Sequence, residues 1–167
     1  MRYRLDVVAP TVLDAVQFAG GWIYDRVMAG WDVTVLVGRD EDLRPLQILG
    51  ARTLELDTVL DSWELRAHPQ TVAVAADLFG RDDRVRRGVL GALDQGATEV
   101  TLWGATLPAE LGGSLDAVEH RLSAAARAFK AQALGAARGG AGVTIGPTEV
   151  FCSGMMASVA ADLVPAS

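Results

Sequence analysis

Residues 4–37 decide the fold. They read Arg4-Leu-Asp-Val-Val-Ala9, then Pro10, then Thr11-Val-Leu-Asp-Ala-Val-Gln-Phe-Ala-Gly-Gly-Trp-Ile-Tyr-Asp-Arg-Val-Met-Ala-Gly30, and after Trp31 the run Asp32-Val-Thr-Val-Leu-Val37. The first run is short, apolar and ended by proline, as a strand leaving a sheet should be. The second places Val12, Ala15, Val16, Ala19, Ile23 and Val27 at helical spacing and closes on Gly30, a residue suited to a helix C-terminus. The third is nearly continuous and β-branched, the pattern of a strand buried on both faces. A strand, a helix and a second buried strand make a right-handed βαβ crossover and predict a parallel pair.

The pattern repeats outward from this unit. Asp42–Gly50 predicts a short helix and Ala51–Leu56 a third strand. Thr71–Ala76 predicts a fourth strand, Asp83–Gly96 a helix ending in glycine, and Glu99–Trp103 a fifth strand. Leu115–Ala137 is Ala-rich and predicts one long helix. Gly139, Gly140 and Gly142 then break the chain before a last strand expected near Val143–Ile145. The fold class that follows is a Rossmann-like three-layer α/β sandwich with a mostly parallel sheet. The expected organisation is one domain over residues 1–151 and a tail over 152–167 that packs on that domain or on a partner subunit. At 167 residues the chain is of single-domain size, long enough to bury a core without a disulfide or metal staple. Half of it is hydrophobic, which excludes a disordered chain.

Charge and composition remove several function classes. The net charge of −6 argues against binding to a nucleic-acid backbone, which needs a basic footprint. A single cysteine, Cys152, excludes a disulfide framework and a cysteine-rich zinc site, and it fits a reducing cytoplasm. The uncharged stretches Ala15–Tyr24 and Val150–Ala161 fall short of the roughly 20 residues a membrane span requires, so no membrane partner is expected. The start of the sequence has no apolar run of signal-peptide length.

In sheets of this kind ligands bind beyond the carboxyl ends of the strands. That directs attention to Pro10–Asp14, Gly38–Asp42, Asp77–Arg84 and Gly104–Thr106. None carries a dinucleotide fingerprint or a phosphate-binding loop, because Gly20-Gly21 lie inside the first helix and not in the turn before it. Two glycines there cost helix stability of about 1 kcal/mol each relative to alanine. Their expected role is to let a neighbour approach closely.

Several segments, taken in order, resemble the PIG-L/LmbE-like zinc deacetylases, which remove acetyl groups from N-acetylglucosaminyl substrates. The matching residues are Pro10, Asp14, Ala15, Val16, Ala19, Gly20, Gly21 and Gly30, followed by Asp32-Val-Thr-Val35. Then come Arg44-Pro-Leu-Gln-Ile-Leu-Gly50 with Leu54-Glu-Leu-Asp57, Gly80-Arg-Asp-Asp-Arg-Val85, Ala124–Gln132 and Glu149-Val-Phe151. Together they cover roughly residues 4–151. In that family the first motif supplies a zinc-binding His, a general-base Asp and a zinc-binding Asp, and the second supplies the last zinc-binding His. Matched residue by residue, this chain has Thr11, Leu13 and Asp14 at the first set. Arg81 stands for the leading His of the second motif and Arg84 for its zinc ligand. Catalytic zinc takes three protein ligands and an open water position, so one surviving carboxylate implies that no metal is held and no zinc cofactor is used. Neither histidine is spaced to rebuild the site. His68 precedes Pro69 at the opposite end of a strand, and His120 lies before the last helix.

The functional expectation is therefore a pseudo-deacetylase without zinc. It would bind a sugar-like or N-acyl small molecule through Thr11, Asp14, Arg81, Arg84 and Trp103, or act as a partner subunit or homo-oligomer. Arg84, or Arg81, is expected to bring a guanidinium to the vacated position and pair with Asp14. Of the four tryptophans, Trp103 is the one placed to stack on a sugar. An alternative is a divergent hydrolase or deacetylase of amino-sugar or natural-product metabolism, with Asp14, Asp83 and Arg84 as candidate catalytic residues. Asp82-Asp83 could join Asp14 around a divalent ion, although first-turn acids ordinarily cap helices. A third reading is a scaffold or dimerisation module whose apolar tail Val150–Val164 covers a neighbouring subunit.

Overall fold

The computed structural model describes residues 2–104, 107–111, 113, 115–139, 144–154 and 163–165. Strand β1 (Arg4–Val8) leads into helix α1 (Val12–Met28) and strand β2 (Asp32–Val37). Helix α2 (Arg44–Ile48), strand β3 (Arg52–Glu55) and helix α3 (Leu56–Asp61) follow, then a 3-10 turn at Trp63–Leu65. The chain continues through β4 (Thr71–Ala75), α4 (Ala76–Arg81), α5 (Asp83–Gln95) and β5 (Glu99–Trp103). It ends in β6 (Asp116–Arg121), α6 (Ala124–Arg138), β7 (Thr148–Gly154) and β8 (Leu163–Pro165).

The sheet order is β3-β2-β1-β4-β5-β7-β6-β8. The first five strands are mutually parallel, and β7, β6 and β8 are added antiparallel at one side. The α/β sandwich expected from the alternation is what forms. Because strand side chains alternate, β1 sends Leu5 and Val7 to one face and Val8 to the other. The first face is packed by α1, α2 and α6 around Trp22, Ile23, Leu46 and Phe151. The second is packed by α3, α4 and α5 around Leu60, Phe79, Val85 and Val89.

Two expectations are corrected. Leu115–Ala137 is not one helix, since Asp116–Arg121 is strand β6 and the helix starts only at Ala124. High helix propensity over Ala124–Ala137 outweighed Asp116–Arg121, where His120 alone is buried and neither the residues nor their burial alternate. Ser123 marks the true start, as its hydroxyl accepts from the Ala126 amide. The last strand expected near 143–145 forms at Thr148–Gly154 instead, because Pro147 delays strand entry. Thr144 and Ile145 are irregular, and Val143 lies outside the described residues.

The boundary at 151/152 falls inside β7, whose Cys152 and Ser153 pair with both β5 and β6. Beyond it, β8 pairs with β6. Met155, Met156 and Val159 of the expected apolar tail lie outside the described residues. No helix among the described residues is long and apolar enough to cross a membrane.

Candidate functional site

The carboxyl ends of β1, β4 and β5 meet the amino-terminal ends of α1 and α4, and this junction holds the candidate site. Helix α1 begins at Thr11, which has extended backbone and whose hydroxyl accepts from the Asp14 amide at 3.0 Å. The next free amide, that of Val12, donates to Glu41 Oε1 at 2.7 Å. A carboxylate from the loop after β2 thus satisfies the positive end of the α1 dipole from within the chain.

Asp14, in the first turn of α1, accepts a 3.1 Å hydrogen bond at Oδ2 from the Trp103 indole Nε1 at the end of β5. Burial pushes the Asp14 carboxyl above its ordinary value. The Trp103 hydrogen bond and the nearby Arg81 guanidinium pull it down, and the like charge of Asp77 pushes it up. Arg81 lies one turn along α4 from Asp77, and the two form an exposed ion pair at 2.5 Å. The arrangement is a half-buried carboxyl with a raised proton affinity, one indole donor, and a cation already paired with a second acid. It can accept or donate a proton and can hydrogen-bond a hydroxyl or amide.

Three expectations about this site change. Arg84 does not pair with Asp14, because its guanidinium is held by Asp57 at 2.8 Å and by Asp61 and Asp82 at 3.0 Å each. Its position follows from the cap of α5, since Asp82 accepts from both the Arg84 amide and its side chain, which turns the guanidinium toward α3. The cation whose charge reaches Asp14 is Arg81. Trp103 cannot offer a face for stacking on a sugar, since it is only 2% exposed within the core of the first face. It bears on a ligand only through Asp14. Asp83 is exposed on the first turn of α5, with Asp82 beside it committed to Arg84, so neither joins Asp14.

Among the described residues no group of three His, Cys, Asp or Glu side chains could hold a metal ion. The donor set at the zinc positions of the resembling family does not fit that ion. Thr11 is used as a helix cap, Leu13 has no donor, Asp14 is one carboxylate, and Arg84 is a cation tied to three acids elsewhere. His68 is exposed at the amino end of β4. His120 lies on β6, where Nε2 meets Asp25 Oδ2 at 2.7 Å, with Ser123 on the same carboxylate. Cys152 is partly buried on β7, and burial together with Asp116 raises its thiol.

Glu41 and Asp77 fall inside the two loop windows that the strand ends single out, yet nothing in their local sequence distinguishes them from ordinary surface acids. For a third group the sequence offered a motif but not its partners. Glu149 of β7 is 4% exposed, and its carboxylate enters the side of α1. It accepts from the amides of Gly21 at 2.8 Å and Trp22 at 2.7 Å and from Lys130 Nζ at 2.6 Å. The glycine pair makes this joint possible. A methyl on Gly21 would fall within the Leu122 side chain, and one on Gly20 would stand 3.4 Å from the Lys130 stem. Close approach, the role expected for these glycines, is what the structure shows.

No protein-family model matches the sequence, and no curated protein matches it. Solved structures do. The deacetylase–teicoplanin complex of the teicoplanin biosynthesis pathway superposes with a TM-score of 0.62 at 14% identity, covering 91% of this chain and 98% of that one. The A40926 pseudoaglycone deacetylase gives 0.60 at 18% identity over 80% and 81% of the two chains. The zinc-inhibited form of teicoplanin deacetylase gives 0.55 at 14% identity over 78% and 82%. The chain therefore has the α/β fold of the PIG-L/LmbE-like deacetylases.

Proposed function

We propose that this protein is a ligand-binding member of the deacetylase fold that lacks zinc hydrolysis. In this reading the junction around Asp14 binds a sugar-like or N-acyl molecule, or the domain acts as a partner subunit. The observation that carries the reading is the state of the four zinc-family positions. One is a helix cap, one an aliphatic side chain and one a guanidinium held elsewhere by three carboxylates, which leaves Asp14 alone. The structural neighbours support the choice of ligand class, because they are deacetylases of teicoplanin biosynthesis and of an A40926 pseudoaglycone. Asp14, with Trp103 holding one of its oxygens, would accept from a hydroxyl or amide N–H of the ligand. Arg81 would donate to an acyl oxygen.

The raised proton affinity of Asp14 favours a second reading, a hydrolase of altered chemistry in which this carboxyl works as general acid or base. Metal analysis tests the absence of zinc first. Protein purified without added metal, and again after dialysis against zinc, is expected to hold almost none. About one tightly held zinc per chain would sink the proposal. Melting curves with N-acetylglucosamine and glucosamine are expected to show a saturable rise that the Asp14→Asn variant loses. Acetate release from N-acetylglucosaminyl compounds, with a pH profile that the same variant abolishes, would establish the hydrolase instead.

A further inference from the structure

The second face of the sheet carries a cleft unrelated to Asp14. It has a volume of about 740 Å³ and runs between the α3 end with its following turn and the outer half of α5, with Val72 of β4 at its floor. That size lies in the range of small-molecule sites. Its walls are of two kinds. One is aromatic, where Trp63 stands half-buried with its indole against Gly88, so close that a Cβ on Gly88 would be 3.3 Å from Nε1. The other is nearly bare helix, since Gly91 follows Gly88 by one turn and a Cβ there would meet nothing within 4 Å.

The charged groups on the rim are not equivalent. Asp61 is ion-paired to Arg84 at 3.0 Å through one carboxylate oxygen. Arg87 and His68 also line the cleft and are exposed, and neither has a hydrogen-bond or ion-pair partner among the described residues. A slot of mixed polar and apolar lining beside an indole, with an unengaged guanidinium and imidazole at its edge, suits an aromatic ring bearing an anionic group.

We propose that this cleft is a second binding site, for a small molecule with a flat aromatic ring and one anionic substituent. The proposal is independent of the reading of the Asp14 junction. The probes are 8-anilinonaphthalene-1-sulfonate and its uncharged relative N-phenyl-1-naphthylamine, titrated by fluorescence against the whole chain. Each is expected to saturate at one site. Gly91→Leu fills the slot and should weaken both by about tenfold. It replaces a poor helix former with a good one, so the fold survives, which circular dichroism and the melting temperature check. Arg87→Gln should weaken the sulfonate by about fivefold and leave the amine unchanged, since a single charge-assisted contact is removed. Asp14→Asn should alter neither. Absence of saturable sulfonate binding overturns the proposal. So does binding that is unaffected by both Gly91→Leu and Arg87→Gln, or binding lost in Asp14→Asn alone.

Discussion

On the face packed by α1, α2 and α6, the helices approach so closely that Leu122 occupies the space a Gly21 side chain would need, and a carboxylate from β7 reaches two amides inside α1. On the face packed by α3, α4 and α5, Arg84 of α5, held by its own cap Asp82, reaches across to the exposed Asp57 and Asp61 of α3, beside a cleft. The tight face bears the motifs that resemble the deacetylase family most closely, Gly20-Gly21 and Glu149-Val-Phe151. Gly20-Gly21 and Glu149 build a close helix joint, while Thr11, Asp14 and Arg81 stand at the strand-end junction, so the joint and the candidate site are built from different residues.

The largest effect should come from the buried joint. Lys130→Met leaves Glu149 in the core with only two amides for its charge, and removal of one partner of a buried pair costs about 3–5 kcal/mol. Burial already raises the Glu149 proton affinity, and loss of Lys130 raises it further. The penalty is therefore full at neutral pH and shrinks as pH falls through the folded-state value. Urea unfolding at several pH values measures this, and a deficit that grows on acidification would contradict the account.

Next is Gly21→Ala, which forces Leu122 aside. Overpacking costs about 1–3 kcal/mol, partly offset by the better helix propensity of alanine. Combining it with Leu122→Ala should recover part of that loss in a double-mutant cycle, whereas simple additivity would show that the two side chains do not compete.

At the open junction the effects turn from stability to titration. Trp103→Phe removes the hydrogen bond that favours the Asp14 carboxylate, so the Asp14 midpoint followed by carbon NMR should move up. A downward move would show that the indole does not stabilise the charge. Because the folded-state value is already raised, wild type should gain stability over Asp14→Asn as pH falls from neutral through that value. The smallest effect belongs to the loosely tied face. Arg84→Gln removes exposed ion pairs, so the melting temperature should fall slightly at low salt and not at high salt. A large fall that salt leaves unchanged would make this clamp a structural element equal to the buried joint.

The run of residues 4–37, with the strands at 71–75 and 99–103, was sufficient to specify a parallel α/β sheet, because buried strands and amphipathic helices carry different periods in their apolar residues. The same sequence directed attention to the strand ends, and Asp14 lies in the first turn of α1 beside the end of β5. It did not reveal β6 as a strand, because Asp116–Arg121 carries no period-two pattern to set against the alanines after Ser123. Partnership was beyond it as well. Trp103 reaches Asp14 across 89 positions of chain, Glu149 reaches Gly21 across 128, and Arg84 turns to Asp57 and Asp61 and not to Asp14. Periodicity is a local property that each segment states for itself. Which charge meets which, and where two helices leave a cleft, depends on how the segments cross once packed, and only the tertiary structure decides it.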